Sequence, residues 1–260
     1  MTEASIQQTI KQHKTIMLVE VNKRTGSWLL VYSPVPITFV FLCDLIIICA
    51  GPKLMAKRQP VHLKPVLIVY NFVMVSLSAY TFYEFTASSW LARYSLLCQP
   101  VDYSDSPLAM RMARVCWWFY FSKVIELSDT IFFILCKKNS QLTFLRVYHH
   151  AAMIFSWWAG VKYVAGGQFF LIGLINSLVH VVMHLYSGLA ALGLSMTNHY
   201  LTSLQLLQFF TVTIHTTYNL FAECDFPDSM NMIVLAYSVS LTAVFSNFYY
   251  HNYLTKKKPT

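Results

Sequence analysis

The chain has 260 residues, 56% hydrophobic and only 12% charged, with a mean hydropathy of +0.49 and a net charge of +8. Soluble domains carry about 25% charged residues, so this composition excludes a disordered chain, a secreted disulfide scaffold and an ordinary cytosolic enzyme. It indicates a multispan membrane protein. The basic excess does not point to nucleic acid, because the bases stand in short clusters at the ends of apolar segments, as juxtamembrane anchors do.

Up to Arg24 the chain is mixed and polar, and its only apolar run, Ile16 to Val19, is too short for the core of a signal peptide. Seven helical spans are predicted after it, at about 28–50, 64–86, 113–136, 142–161, 167–190, 199–221 and 230–252, within a single domain covering 1–260. Three stretches lack Asp, Glu, Lys and Arg altogether: Pro65 to Tyr83 (19 residues), Tyr163 to Ala222 (60) and Ser229 to Thr255 (27). Runs of this kind do not alternate as barrel strands do. Helices therefore remain as the way to satisfy the backbone in lipid. Gly51-Pro52, the acidic stretch Asp102 to Pro107, Lys137-Lys138-Asn139-Ser140, Ala165-Gly166-Gly167 and Cys224 to Ser229 are read as the separators.

Lys53, Lys57, Arg58 and Lys64 follow span one, Lys137 and Lys138 follow span three, and Lys256 to Lys258 follow span seven. An odd number of spans precedes each cluster, so all three share one side, read as cytosolic. Asp102, Asp105, Glu223, Asp225 and Asp228 fall on the other side. The C-terminus is then cytosolic and the N-terminus luminal. Lys11, Lys14, Lys23 and Arg24 of the N-terminal tail count against this and are outweighed by the three clusters.

Within the spans, ionisable groups stand in ordered stripes, where their cost in lipid points to function. Lys123, Glu126, Asp129 and Thr130 follow one helical stripe, and Arg146, His149 and His150 share a face at i, i+3 and i+4. Asn176, His180 and His184 repeat every fourth residue. Thr202, Gln205 and Gln208 form a further stripe, with His215 about two turns on. Imidazole clusters suit iron, copper or zinc. Here, however, three of the nine histidines (His13, His62 and His251) lie near termini or loops, and no second HxxHH is present. No metal and no bound cofactor are expected. Acyl transfer fits better, with a neutral imidazole attacking a thioester and neighbouring amides and imidazole stabilising the oxyanion or enolate.

Together these stripes resemble the motifs of the ELO family of very-long-chain fatty acid elongases, the membrane 3-ketoacyl-CoA synthases. The family pattern KxxExxDT aligns with Lys123, Glu126, Asp129 and Thr130, and HxxHH with Arg146-Val147-Tyr148-His149-His150. The box N-x3-HxxMYxYY aligns with Asn176, His180, Met183, His184 and Tyr186, and TxxQxxQ with Thr202, Gln205 and Gln208. The stretches FYFSKVIELSDTIFFIL and WWAGVKYVAGGQFF look most like the animal branch acting on polyunsaturated and very-long-chain acyl-CoA.

The resemblance implies an all-α integral membrane fold, six helices around an acyl tunnel plus one peripheral helix. It also implies condensation of a long-chain acyl-CoA with malonyl-CoA to 3-ketoacyl-CoA, carbon dioxide and CoA. His149 would take the acyl group, with His150 and His180 as catalytic neighbours. Lys123, Glu126, Asp129, Arg146, Asn176, His184, Gln205 and Gln208 would line the site. The ketoreductase, dehydratase and enoyl reductase of the elongation cycle would be partners in the endoplasmic reticulum membrane, alongside homo- or hetero-oligomers.

Three positions depart from the family pattern: Arg146 replaces the first His of HxxHH, His184 a Tyr, and Ser187 the last Tyr of its box. Arg146 places a fixed cation one turn from His149. An alternative reading follows, a non-condensing homologue that binds acyl-CoA or partners of the elongation complex. Arg146 is expected to pair with Glu126 or Asp129.

Six cysteines with no CxxC speak against structural zinc. Cys98 and Cys224 fall in two loops assigned to the luminal side, where disulfides form, and are predicted to be bridged. The terminal Lys257-Lys258-Pro259-Thr260 has the form of a dilysine retrieval signal to the endoplasmic reticulum.

Overall fold

A computed structural model describes residues 21–194, 199–222 and 224–255; Lys257 and Lys258 lie outside the described residues. Those residues are helical with no strand. The main helices are α1 (Pro34–Met55), α2 (Lys64–Leu91), α3 (Pro107–Glu126), α4 (Ser128–Leu135), α5 (Phe144–Tyr163), α6 (Phe169–Leu192), α7 (His199–Phe221) and α8 (Asp228–Tyr249).

Capping chemistry sets several boundaries apart from the sequence expectation. The first helix begins at Pro34, not near 28, because residues 22–32 are held in turns such as Thr25 N to Asn22 O and Trp28 N to Thr25 O. Ser33 then caps α1 through its hydroxyl, which accepts from Val35 N at 3.2 Å, and Pro34 occupies the first helical position. Gly51-Pro52 does not end the helix, which runs on to Met55. Pro52 sits in the last turn, where its missing N–H costs a single ladder bond. The third span begins at Pro107, behind the Ser106 cap on Ala109 N, and is broken at Leu127 into α3 and α4. α6 ends on Gly193, whose φ of 107° gives the left-handed turn that closes helices. One π turn, Tyr250–Leu254, prolongs α8.

α1, α2, α6 and the α8 helix with its extension are long and apolar enough to cross a membrane. The lower hydropathy of α3, α5 and α7 comes from the polar stripes they carry. Their packing shows where those stripes go. α2 packs against α3 and α6, α3 against α5, α5 against α8, α8 against α7, and α7 against α6. Six helices thus close a ring, and polar faces turned inward avoid lipid. α1 stays outside and packs on α4; only Ile37, Asp44 and Met55 of its residues are buried.

One end of the ring is filled. Trp157 of α5 packs between Phe119, at 4.2 Å between ring centroids, and Phe169, edge-on at 5.4 Å. Gly173 lets α6 approach here, since a Cβ would stand 2.5 Å from the Phe85 ring. Above this plug a disulfide joins Cys98, after α2, to Cys224, after α7, with Cα atoms 5.6 Å apart. Gln168 Nε2 donates to Leu97 O and to Asn219 Oδ1, and His215 Nε2 donates to Leu96 O at 2.9 Å. Arg111 holds Glu84 with two bonds of 2.6 and 3.0 Å, locking α3 to α2 near the same end. At the opposite end the loops after α1 and α4 are tied by Val61 N to Leu135 O and by Lys137 Nζ donating to Ala56 O. The Lys53 to Lys64 and Lys137-Lys138 clusters therefore share one end of the molecule.

Candidate active site

The last turn of α3 places Lys123 and Glu126 on one face, three residues apart. The four-residue repeat of α6 turns Asn176, His180 and His184 toward them. All five side chains are buried. Lys123 Nζ donates to Glu126 Oε1 at 2.8 Å, and His180 Nδ1 lies 3.0 Å from the same oxygen. His184 Nε2 stands 3.8 Å from it. Lys123 Nζ is also 3.1 Å from His180 Nδ1 and 4.6 Å from the centre of the Phe119 ring. Burying charge in this way is tolerable only because each ion has its counter-ion and hydrogen bonds.

Asn71 of α2 completes this wall, with its Oδ1 at 3.4 Å from His184 Nδ1 and its Nδ2 donating to Leu67 O. It is absent from the sequence-based set. The signal for it was a lone amide in the uncharged stretch Pro65 to Tyr83. Asp44 of α1 is a second omission, a buried carboxylate at membrane depth that faces Thr130. Among the described residues, Asn176 Oδ1 is buried without a hydrogen-bond partner.

The opposite wall comes from the first two turns of α5, started by Thr143, whose hydroxyl accepts from Arg146 N. Arg146 Nη1 reaches Asp129 Oδ2 at 3.3 Å, and its guanidinium lies 4.4 Å over the Phe133 ring. Of the two carboxylates expected as its partner, Asp129 is the one engaged. His149 stands 5.9 Å from His150 between ring centroids and 6.2 Å from both Phe209 of α7 and Phe245 of α8. It lies within electrostatic range of His180, Glu126 and Lys123. Unlike His180 and His184, neither His149 nor His150 has a hydrogen bond at its ring nitrogens among the described residues, and both are half-buried.

The α7 stripe does not join this network. Gln205 Nε2 donates to the sulfur of Met183, and Thr202 lies 3.4 Å from Tyr253 OH. Gln208 is buried, and neither glutamine bonds the Lys123–Glu126–His180 group among the described residues. His215, further along the same helix, belongs to the disulfide end.

Glu126, His180 and His184 place one ligand atom each within 4.8 Å of the others, as a metal site would. Lys123 Nζ stands on the same carboxylate oxygen and 3.1 Å from His180 Nδ1, so the cluster contains a cationic group of its own. At the basic end a cavity of about 570 Å³ is lined by His62, Lys64, Asn71, Cys136, Lys138 and Ser187 among others. Asn71 both lines this cavity and contacts His184, so the cavity reaches the edge of the buried network.

Compared with known families, residues 29–260 match the ELO: GNS1/SUR4 family. The chain is 46% identical to very long chain fatty acid elongase 7 of Rattus norvegicus, over 90% of this chain and 86% of the relative. It is 43% identical to very long chain fatty acid elongase 1 of Mus musculus, over 93% of this chain and 90% of the relative. Against very long chain fatty acid elongase 4 of Homo sapiens the identity is 43%, over 92% and 77%.

Proposed function

The chain belongs to the ELO: GNS1/SUR4 family, and on that premise we propose that it is a fatty acid elongase, condensing a long-chain acyl-CoA with malonyl-CoA. The observation that carries this reading is the pair of unengaged imidazoles, His149 and His150, facing a closed Lys–Glu–His network on the opposite wall. A ring nitrogen of His149 attacks the thioester carbonyl, the C–S bond breaks, and the remaining N–H proton of the acylated ring passes to the departing thiolate, giving an acyl-imidazole and free CoA. Malonyl-CoA then loses carbon dioxide, the electron pair of the broken C–C bond forms an enolate, and its carbon attacks the acyl carbonyl. The tetrahedral oxyanion collapses, the C–N bond to His149 breaks, the imidazole takes up a proton, and 3-ketoacyl-CoA is released.

In this mechanism His150, His180 and Asn176 act as donors around the enolate and the tetrahedral oxyanion, and Lys123 and Glu126 hold His180 in place. CoA enters at the basic end, where Lys64 and Lys138 favour its phosphates. His184, Gln205 and Gln208 border the acyl path. No metal or bound cofactor takes part.

The address that goes with this activity is the endoplasmic reticulum membrane, N-terminus luminal and C-terminus cytosolic, beside the ketoreductase, dehydratase and enoyl reductase of the cycle. Purified protein incubated with radiolabelled malonyl-CoA and a panel of acyl-CoAs tests the reading. Wild type should incorporate label and accumulate acyl-His149 when malonyl-CoA is withheld, and His149→Ala should do neither. Binding of acyl-CoA without label incorporation by any substrate leaves the non-condensing alternative instead.

A further inference from the structure

Arg146 has chemistry left over. Its guanidinium carries five N–H donors on three nitrogens. Only Nη1 has a side-chain partner, Asp129 at 3.3 Å, which is long for a charge-assisted bond, usually about 2.7–2.9 Å. Nε and Nη2 have none among the described residues, and the side chain keeps 30% of its surface open while Lys123 keeps 2%. The Phe133 ring beneath the guanidinium fixes its plane. The residue stands in the first turn of α5, one turn before His149 and His150 and at the basic end of the ring.

The charges around it add to this. Lys123 and Arg146 match the charges of their partners Glu126 and Asp129; a neutral residue at 146 would leave these four positions with one net negative charge. Arg146 therefore offsets the carboxylates that would otherwise repel an incoming one.

We propose that Arg146 is the receptor for the free carboxylate of malonyl-CoA, binding it through the Nε–Nη2 edge while Nη1 remains on Asp129. This rests on the condensing reading above. The carboxylate is lost as carbon dioxide in the step that follows, so the contact is stronger in the bound substrate than in the transition state. Such a contact lowers KM and does not raise kcat. Arg146 thus gives selective capture of the two-carbon donor at low concentration and holds turnover down.

The test compares malonyl-CoA with acetyl-CoA, which differ at this end by the carboxylate alone, in equilibrium binding to full-length protein in detergent. Wild type should prefer malonyl-CoA, and Arg146→Gln should lose about 10–100-fold in malonyl-CoA affinity with acetyl-CoA affinity unchanged. Arg146→Lys, which keeps the charge without the fork and guards against a folding defect, should fall between them. In turnover, Arg146→Gln should raise KM for malonyl-CoA without lowering kcat. An equal loss for malonyl-CoA, acetyl-CoA and CoA would assign Arg146 to the phosphates and overturn the proposal, as would an unchanged malonyl preference. Because binding is read without turnover, a protein that prefers malonyl-CoA through Arg146 yet never condenses refutes the condensing reading alone.

Discussion

Lys123 of α3 and His180 of α6, 57 residues apart in sequence, meet within 3.1 Å over a single carboxylate oxygen of Glu126. The contact joins the two helices, and among the described residues Glu126 is the one carboxylate within ion-pair distance of either side chain. Removing the carboxylate leaves a buried ammonium without its counter-ion, whereas removing both charges leaves a polar but neutral contact. Glu126→Gln is expected to cost about 3–5 kcal/mol, and Lys123→Met with Glu126→Gln less than the sum of the single changes. Thermal unfolding in detergent measures this, and additive losses would contradict the pairing.

The disulfide closes a sequence separation of 126 residues between loops on the filled end of the ring. Cys98→Ser with Cys224→Ser should destabilise by about 2–4 kcal/mol, and a reducing agent should lower the melting temperature of wild type but not of the double variant. Alkylation of unreduced, denatured protein should label Cys43, Cys49, Cys116 and Cys136 and spare the bridged pair. Labelling of Cys98 or Cys224 under these conditions rules the bridge out.

Ser187 lines the cavity at the basic mouth, together with Ala190 and Ala191. A phenol there would fill space that leads by way of Asn71 to His184. Ser187→Tyr should lower kcat/KM for acyl-CoA about tenfold, equivalent to about 1.4 kcal/mol, with the melting temperature held within a few degrees. An unchanged kcat/KM would remove this cavity from the substrate path.

Lys258 and Lys257 are the third and fourth residues counted back from Thr260. If they serve retrieval, changing both to Ser should let part of a tagged protein acquire Golgi localisation in cells. Complete retention of the double variant would leave these lysines as positive-inside anchors.

The sequence by itself determined the membrane class, the basic and acidic ends, and the four polar stripes, because a 3.6-residue period is a property of one helix and needs no neighbour. Lys123 with Glu126, and Asn176 with His180 and His184, were legible in this way. Tertiary structure decided which stripes meet. Asn71 joins the network while Gln205 turns to Met183, although the glutamine belongs to the more conspicuous pattern. Arg146 takes Asp129 rather than Glu126, whose oxygen already serves Lys123 and His180. The break at Leu127 and the passage of α1 through Pro52 were equally hidden. Each of these depends on the rotation and depth of one helix against another, and that is set by packing across the closed ring, which no spacing along a single helix records.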